Sequence, residues 1–268
     1  MDYQLLLFDL DGTLLGPDRR IRPATLRALA QLEQRGTLVS LATGRSPRSA
    51  AAVLTNFEPT APAIHFNGAV LRDWRNGADI LRRGLPIADA IAAVERARAL
   101  GLHINLYLGD AIVIERRSDT SRASEIKDGV AHTLVDDLCE AIAERALPPT
   151  KLLCIGTPHL FEAFAAQVRE STRSGVGVVN SEPSYFEVLP AGTSKGAAAT
   201  ALAAHLEITP AQMIAFGDNL NDLELLSVCG LGVAMGDGHP DLLALADRVI
   251  GPHDSDAIAT FIDATFGL

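Results

Sequence analysis

The chain has 268 residues, 48% of them apolar, and a formal charge of −10. That is enough apolar material for one large or two medium cores, and an acidic balance without a basic block excludes a nucleic-acid or anionic-membrane surface as the main working face. No run approaches the length of a membrane span and no basic segment precedes the first apolar run, so a cytoplasmic protein is expected.

The first apolar run, Leu5 to Phe8, ends abruptly in Asp9-Leu10-Asp11-Gly12-Thr13. A buried parallel strand delivers reactive groups to its carboxyl end in this way. Alternation along an extended chain puts Asp9 and Asp11 on one side, with Leu10 turned toward the interior. Two carboxylates so close call for a cation, and a hard one with oxygen ligands, Mg²⁺, suits them. Taken alone, the same residues also make an ordinary turn.

Pro23 to Arg35 has one-faced helical spacing closed by Gly36. Leu38 to Ala42 reads as a second strand ending in Thr43-Gly44-Arg45, with Ser46-Pro47 opening a helix. Ala63 to Phe66 is a third run, stopped by Asn67-Gly68, and Asn76-Gly77 marks a hairpin. Strand alternating with helix implies a doubly wound parallel sheet. Near Arg83 to Pro86 the rhythm changes. Pro86 to Leu100 is helical, His103 to Tyr107 and Ala111 to Arg116 alternate as an antiparallel pair, and Lys151 to Ile155 is a strand between helices at Asp136 to Arg145 and Pro158 to Arg169. Thr120 to His132 is polar and unpatterned and reads as loop. The α/β pattern then resumes with a helix at Ser194 to His205 and strands at Gln212 to Phe216 and Leu231 to Met235. Arg248 to Ile250 and Asp256 to Phe266 finish the sheet edge and a covering helix. The expected architecture is therefore a Rossmann-like α/β core, residues 1–82 and 187–268, interrupted by an α+β cap, residues 83–186.

Four polar clusters stand at the ends of neighbouring strands: Asp9 with Asp11, Thr43 with Gly44, Lys195 at a helix start, and Asp218 with Asn221 and Asp222. Ligands of open parallel sheets bind just outside such ends. A phosphate monoester carries about two negative charges near neutral pH, so a carboxylate attacking phosphorus needs cationic help, which Mg²⁺ on Asp9 and Asp218, together with Lys195, would supply. The three cysteines, Cys139, Cys154 and Cys229, have no Cys-x-x-Cys spacing and read as buried thiols.

In their order and placement the four clusters resemble the four motifs of the haloacid dehalogenase superfamily. The inserted block, Gly192-Thr193-Ser194-Lys195-Gly196, Gly217-Asp218-Asn219-Leu220-Asn221-Asp222 and Val233-Ala234-Met235-Gly236 resemble its Cof-type phosphatases. One departure is Asp237-Gly238, where relatives usually carry Asn-Ala. The resemblance implies that Asp9 is a nucleophile forming an aspartyl-phosphate, and that Asp11 protonates the leaving oxygen, deprotonates water and lends its carbonyl to the metal. It also implies that the Leu10 and Gly44 amides, the Thr43 hydroxyl, Lys195 and Asn221 hold the phosphate. An acid role for Asp11 calls for burial or like-charged neighbours. Asp222 is expected to orient Lys195 or a metal-bound water, since the other groups already fill an octahedral Mg²⁺ sphere. The expected activity is Mg²⁺-dependent hydrolysis of small phosphorylated metabolites, either sugar phosphates or phosphorylated cofactors, by a monomer or small homo-oligomer. A phosphomutase and a catalytically idle metabolite-binding protein are the alternatives. Substrate choice falls to the inserted domain, where Arg116, Arg117, Arg122, Lys127, His103, His132 and Tyr107 are open to either a binding or a structural reading.

Overall fold

Leu5, Leu6, Leu7 and Phe8 are wholly buried. In the computed structural model, which describes residues 3–144, 147–173 and 175–268, they form the central strand Leu5–Phe8 of a five-stranded sheet. The strand order is Arg248–Val249, Leu231–Ala234, Met213–Gly217, Leu5–Phe8, Leu38–Leu41, with every neighbouring pair parallel. Apolar side chains on both faces explain why the run is continuous rather than alternating. Each buried leucine removed from water contributes about 1.5–3 kcal/mol.

Register decides where the polar residues emerge. Phe8 pairs with both Phe216 and Leu41, its ring stacks on that of Phe216 at 4.4 Å, and the Asp9 and Ala42 amides continue the ladder to Phe216 and Phe8. Three strands therefore end at one level, and the loops carrying Asp9, Thr43 and Asp218 leave side by side. The helix Lys195–His205 lays Ala198, Ala199, Leu202 and Ala203 into the apolar cluster that also holds Leu5, Leu7, Met213 and Ala215.

The third run departs from expectation. Ala63–His65 meets the parallel sheet at one parallel bridge only, and its continuous pairing is antiparallel, with Val70–Arg72, in a three-stranded sheet completed by Asp79–Arg82. A bridge between Ala42 and Ile64 ties it to the strand end at Thr43.

The chain divides into two compact units, one of Met1–Ser46, Val53–Leu81 and Ser194–Leu268, the other of Pro47–Ala52 and Arg82–Thr193. The second unit is built on a six-stranded sheet in the order Gly177–Glu182, Tyr185–Leu189, Lys151–Ile155, His103–Leu108, Ala111–Ile114, His132–Leu134. Tyr185–Leu189, across which the expected boundary at 186/187 falls, is paired antiparallel with Lys151–Ile155. The helices Ile87–Ala99, Leu138–Glu144 and Phe161–Ser171 share an apolar cluster with Leu106, Leu152 and Phe186 of this sheet. Arg145, expected to close one of them, lies outside the described residues.

Thr120 to His132 is not a loop. It holds the helix Asp119–Asp128 and opens the strand His132–Leu134. Ser118 caps the helix by accepting from the Ser121 amide, while the Ser121 hydroxyl accepts from the Ser118 amide, and Gly129 ends it in the left-handed region. Its inward residues are Ser121 and Ser124, and Asn105 donates to the Ser124 hydroxyl at 2.7 Å. A helix that buries hydroxyls shows no apolar period to read.

Phe164 is wholly buried and its ring lies 6.0 Å from that of Phe186. Phe164→Ala should destabilise the second unit by about 3–5 kcal/mol, read as a fall in the urea midpoint followed by circular dichroism. An unchanged midpoint would show that this cluster is not its core.

Candidate active site

The strand Leu5–Phe8 presents Asp9, which is 6% exposed, at its carboxyl end. Lys195, the first residue of the helix Lys195–His205, is wholly buried, and its ammonium donates at 2.6 Å to Asp9 Oδ1 and at 2.6 Å to Asp222 Oδ1. The helix is fixed there by its Ser194 cap, which accepts from the Ala197 amide. Asp222 is itself pinned: its Oδ2 accepts from the Asp218 and Asn219 amides at 3.1 Å each. Asp218, half-buried, accepts at Oδ1 from the Thr13 hydroxyl at 2.8 Å. One oxygen each of Asp9, Asp218 and Asp222 lies within 4.8 Å of the others.

Gly12 makes this approach feasible. Its φ is +80°, and a Cβ there would stand 2.5 Å from Asp218 Oδ2. Any other residue would strain the backbone and displace the carboxylate.

The electrostatics follow from burial. Removal from water pushes the Asp9 carboxyl well above its usual range; Lys195 pulls it back, and Asp222 and Asp218 push it further up. Asp218 is pushed up to about 6, first by burial and then by Asp222, against the Thr13 hydroxyl and Lys195. Burial works against the Lys195 charge, but Asp222 and Asp9 outweigh it and raise its pKa above the ordinary lysine value. Three carboxylates thus face one ammonium, a net charge of −2 when all are ionised. An all-oxygen, doubly negative donor set fits a hard divalent cation such as Mg²⁺.

Asp11 stands apart from this cluster. Its side chain is 54% exposed and is gripped by Arg45, Nε to Oδ2 at 2.6 Å and Nη2 to Oδ1 at 2.7 Å. The burial or crowding by carboxylates expected around it is not what the structure places there. Leu10 is wholly buried, as its inward orientation predicts. Thr43, 1% exposed, accepts at its hydroxyl from the Arg45 amide, and its own amide donates to Ile64. Asn221 donates to Asn67 Oδ1 at 3.0 Å. Asp237, at the departure from the family pattern, accepts from the His253 amide at 3.1 Å.

Sequence reasoning passed over three residues: Thr13, Arg45 and Asn67. Arg45 and Asn67 are visible only as neighbours of motif residues or as turn punctuation, because their partners lie 34 and 154 positions away.

A family model described as haloacid dehalogenase-like hydrolase matches residues 6–262. The chain belongs to this family. The likeness read from the four motifs is thereby borne out. Among relatives of this haloacid dehalogenase-like hydrolase, the HMP-PP phosphatase of Serratia proteamaculans (strain 568) is 32% identical, over 97% of this chain and 94% of its own. The pyridoxal phosphate phosphatase YbhA of Escherichia coli (strain K12) is 28% identical over 98% of each. The crystal structure of TM0651 from Thermotoga maritima matches with a TM-score of 0.86 and 28% identity, covering 98% of this chain and 97% of that one. This haloacid dehalogenase-like hydrolase is an enzyme of the phosphatase type.

Lys195→Met would leave Asp9 and Asp222 buried without their counter-charge. It should cost about 3–5 kcal/mol of stability, with part recovered on adding Asp222→Asn, as measured by thermal unfolding in metal-free buffer. A single variant as stable as the parent would mean that these carboxylates are neutralised by something else.

Proposed function

We propose that this chain hydrolyses phosphate esters of small metabolites with Mg²⁺, through a phosphoryl group carried on Asp9. The observation that supports it most directly is the Lys195 ammonium bridging Asp9 and Asp222 at 2.6 Å each, with Asp218 alongside. A binding protein needs no buried nucleophile held by a cation.

In the proposed sequence a carboxylate oxygen of Asp9 attacks phosphorus, the bond from phosphorus to the ester oxygen breaks, and Asp11 gives that oxygen a proton. Water then attacks the phosphorus, Asp11 takes its proton, and the bond to Asp9 breaks to release phosphate. Lys195 steadies Asp9 and faces the charge gathering on the phosphoryl oxygens, where fixed cations and donors are most effective. The Thr43 hydroxyl, the Leu10 and Gly44 amides and Asn221 are assigned to the phosphate oxygens. Asp9, Asp218 and the Asp11 carbonyl are the groups that would hold Mg²⁺, which when bound offsets the carboxylate charge and polarises the phosphoryl group. Asp222, with one oxygen on Lys195 and the other on two amides, is assigned to orienting Lys195. To reach a leaving oxygen, the Asp11 carboxylate must leave Arg45, and its exposure allows that rotation.

The name of the pyridoxal phosphate phosphatase relative makes phosphorylated cofactors of that kind the first substrates to try, with sugar phosphates beside them in the panel. Asp9→Asn should abolish phosphate release from such a panel, and Asp11→Asn should lower it by about 10²–10⁴-fold; chelation of Mg²⁺ should stop the parent. Release without an added bisphosphate separates hydrolysis from a mutase, and turnover retained by Asp9→Asn would sink the assignment.

The cation site has its own test. Asp218 titrates at about 6 in the folded chain against an ordinary value of 3.8. The folded state therefore holds this proton more tightly, so the contribution is fully present below about pH 4 and is lost as pH rises through 6 in metal-free protein. Added Mg²⁺ should accordingly raise Tm more at pH 7 than at pH 4.5. Equal shifts at both pH values would count against a carboxylate-held cation.

A further inference from the structure

The segment Phe66–Gly68 is a constrained stretch of backbone in the unit that carries the site. Phe66 and Asn67 both have φ above +50° and Gly68 has φ of +103°. Two consecutive non-glycine residues in the left-handed region are unusual, and such conformations persist where the surroundings over-determine them. Here three elements do so. The Phe66 amide donates to the Arg45 carbonyl at 3.1 Å and the Asn67 amide to the Thr43 carbonyl at 3.0 Å, which stitches the segment to the Thr43–Arg45 loop. A Cβ on Gly68 would stand 2.1 Å from the Ser194 carbonyl, so the segment also abuts the residue that caps the Lys195 helix. The Asn67 side chain, 4% exposed, accepts from Asn221 Nδ2 at 3.0 Å. A Cβ on Gly44 would lie 3.2 Å from both the oxygen and the nitrogen of the same amide.

Asn67 is thus bonded to two of the loops whose groups were assigned above to the phosphate, through the Thr43 carbonyl and the Asn221 side chain, while its neighbour Gly68 abuts Ser194 at the start of the Lys195 helix. We infer that Asn67 is a positioning residue for phosphate recognition: its amide oxygen holds the Asn221 side chain in the orientation that reads a phosphoryl oxygen. The inference rests on the proposed phosphatase reading, since Asn221 has this task only there.

A competing explanation is purely conformational, because asparagine tolerates left-handed backbone better than most residues. Asn67→Gly separates the two. Glycine suits this φ at least as well, so a conformational role predicts an unchanged KM and phosphate affinity. The positioning role predicts a cooperatively folded enzyme with an increase of about 5–30-fold in KM, and in the dissociation constant of inorganic phosphate measured by calorimetry with Mg²⁺, the size expected for one misdirected hydrogen bond. The rise in KM should exceed any fall in kcat.

Coupling supplies the second measurement. If Asn67 acts through Asn221, then Asn67→Gly made in an Asn221→Ala background should change phosphate affinity less than about twofold beyond Asn221→Ala alone. Full additivity of the two changes, or unaltered phosphate affinity in Asn67→Gly, overturns the inference. Asp9→Asn assayed in parallel keeps the two failures distinct: turnover there defeats the phosphatase reading, whereas a dead Asp9→Asn beside an unaffected Asn67→Gly defeats this inference alone.

Discussion

A single buried ammonium organises the strand ends of the five-stranded sheet. Lys195 sits 186 residues from Asp9 and 27 from Asp222, yet bonds both at 2.6 Å with its side chain fully excluded from water. Taking these ions out of water carries a desolvation cost of several kcal/mol each, which only close pairing and further hydrogen bonds offset. The surrounding geometry supplies those bonds: two backbone amides on the second oxygen of Asp222, and the Thr13 hydroxyl on Asp218. The compensation is still incomplete, because three carboxylates share one ammonium. A site short of positive charge could hold a divalent cation.

That pairing is possible because the strands end level. Leu5–Phe8 is in register with Met213–Gly217 on one side and Leu38–Leu41 on the other, and a slip of one residue would turn Asp9 to the opposite face. The stacked rings of Phe8 and Phe216, one residue before Asp9 and two before Asp218, belong to the same constraint. Packing below the strand ends and charge pairing above them therefore specify one arrangement rather than two independent ones.

Much of this was legible in the chain, and what was not has a common cause. Apolar periodicity reports burial of hydrocarbon, so Lys151–Ile155 and Leu38–Leu41 could be read closely, and carboxylates abutting an apolar run marked the strand ends. The helix Asp119–Asp128 escaped because its buried face is Ser121 and Ser124, residues that pack by hydrogen bonds and leave no hydrophobic stripe. Ala63–His65 has the composition of a core strand and is buried like one; which sheet it joins depends on its partner, which local sequence does not encode. The same holds for side chains. Asp9, Lys195 and Asp218 carry their chemistry in their type, whereas Asn67 owes its place to a bond with Asn221 that no spacing reveals.

The division of labour between the two cations explains why Asp9 and Asp11, only two positions apart, live in different surroundings. A fourth carboxylate in the buried cluster would add repulsion that one ammonium could not answer. Arg45 draws Asp11 out of that cluster, and its planar fork matches the carboxylate with two parallel hydrogen bonds. Lys195 could not make that fork, and Arg45 could not serve as the compact bridge that meets Asp9 and Asp222 from one nitrogen. The guanidinium is itself held in place, its side chain only 8% exposed and its residue bonded through the backbone to Thr43 and Phe66. Asp11 thereby stays at the solvent edge, where the proposed turn from Arg45 to a leaving group would not disturb the buried charges around Asp9.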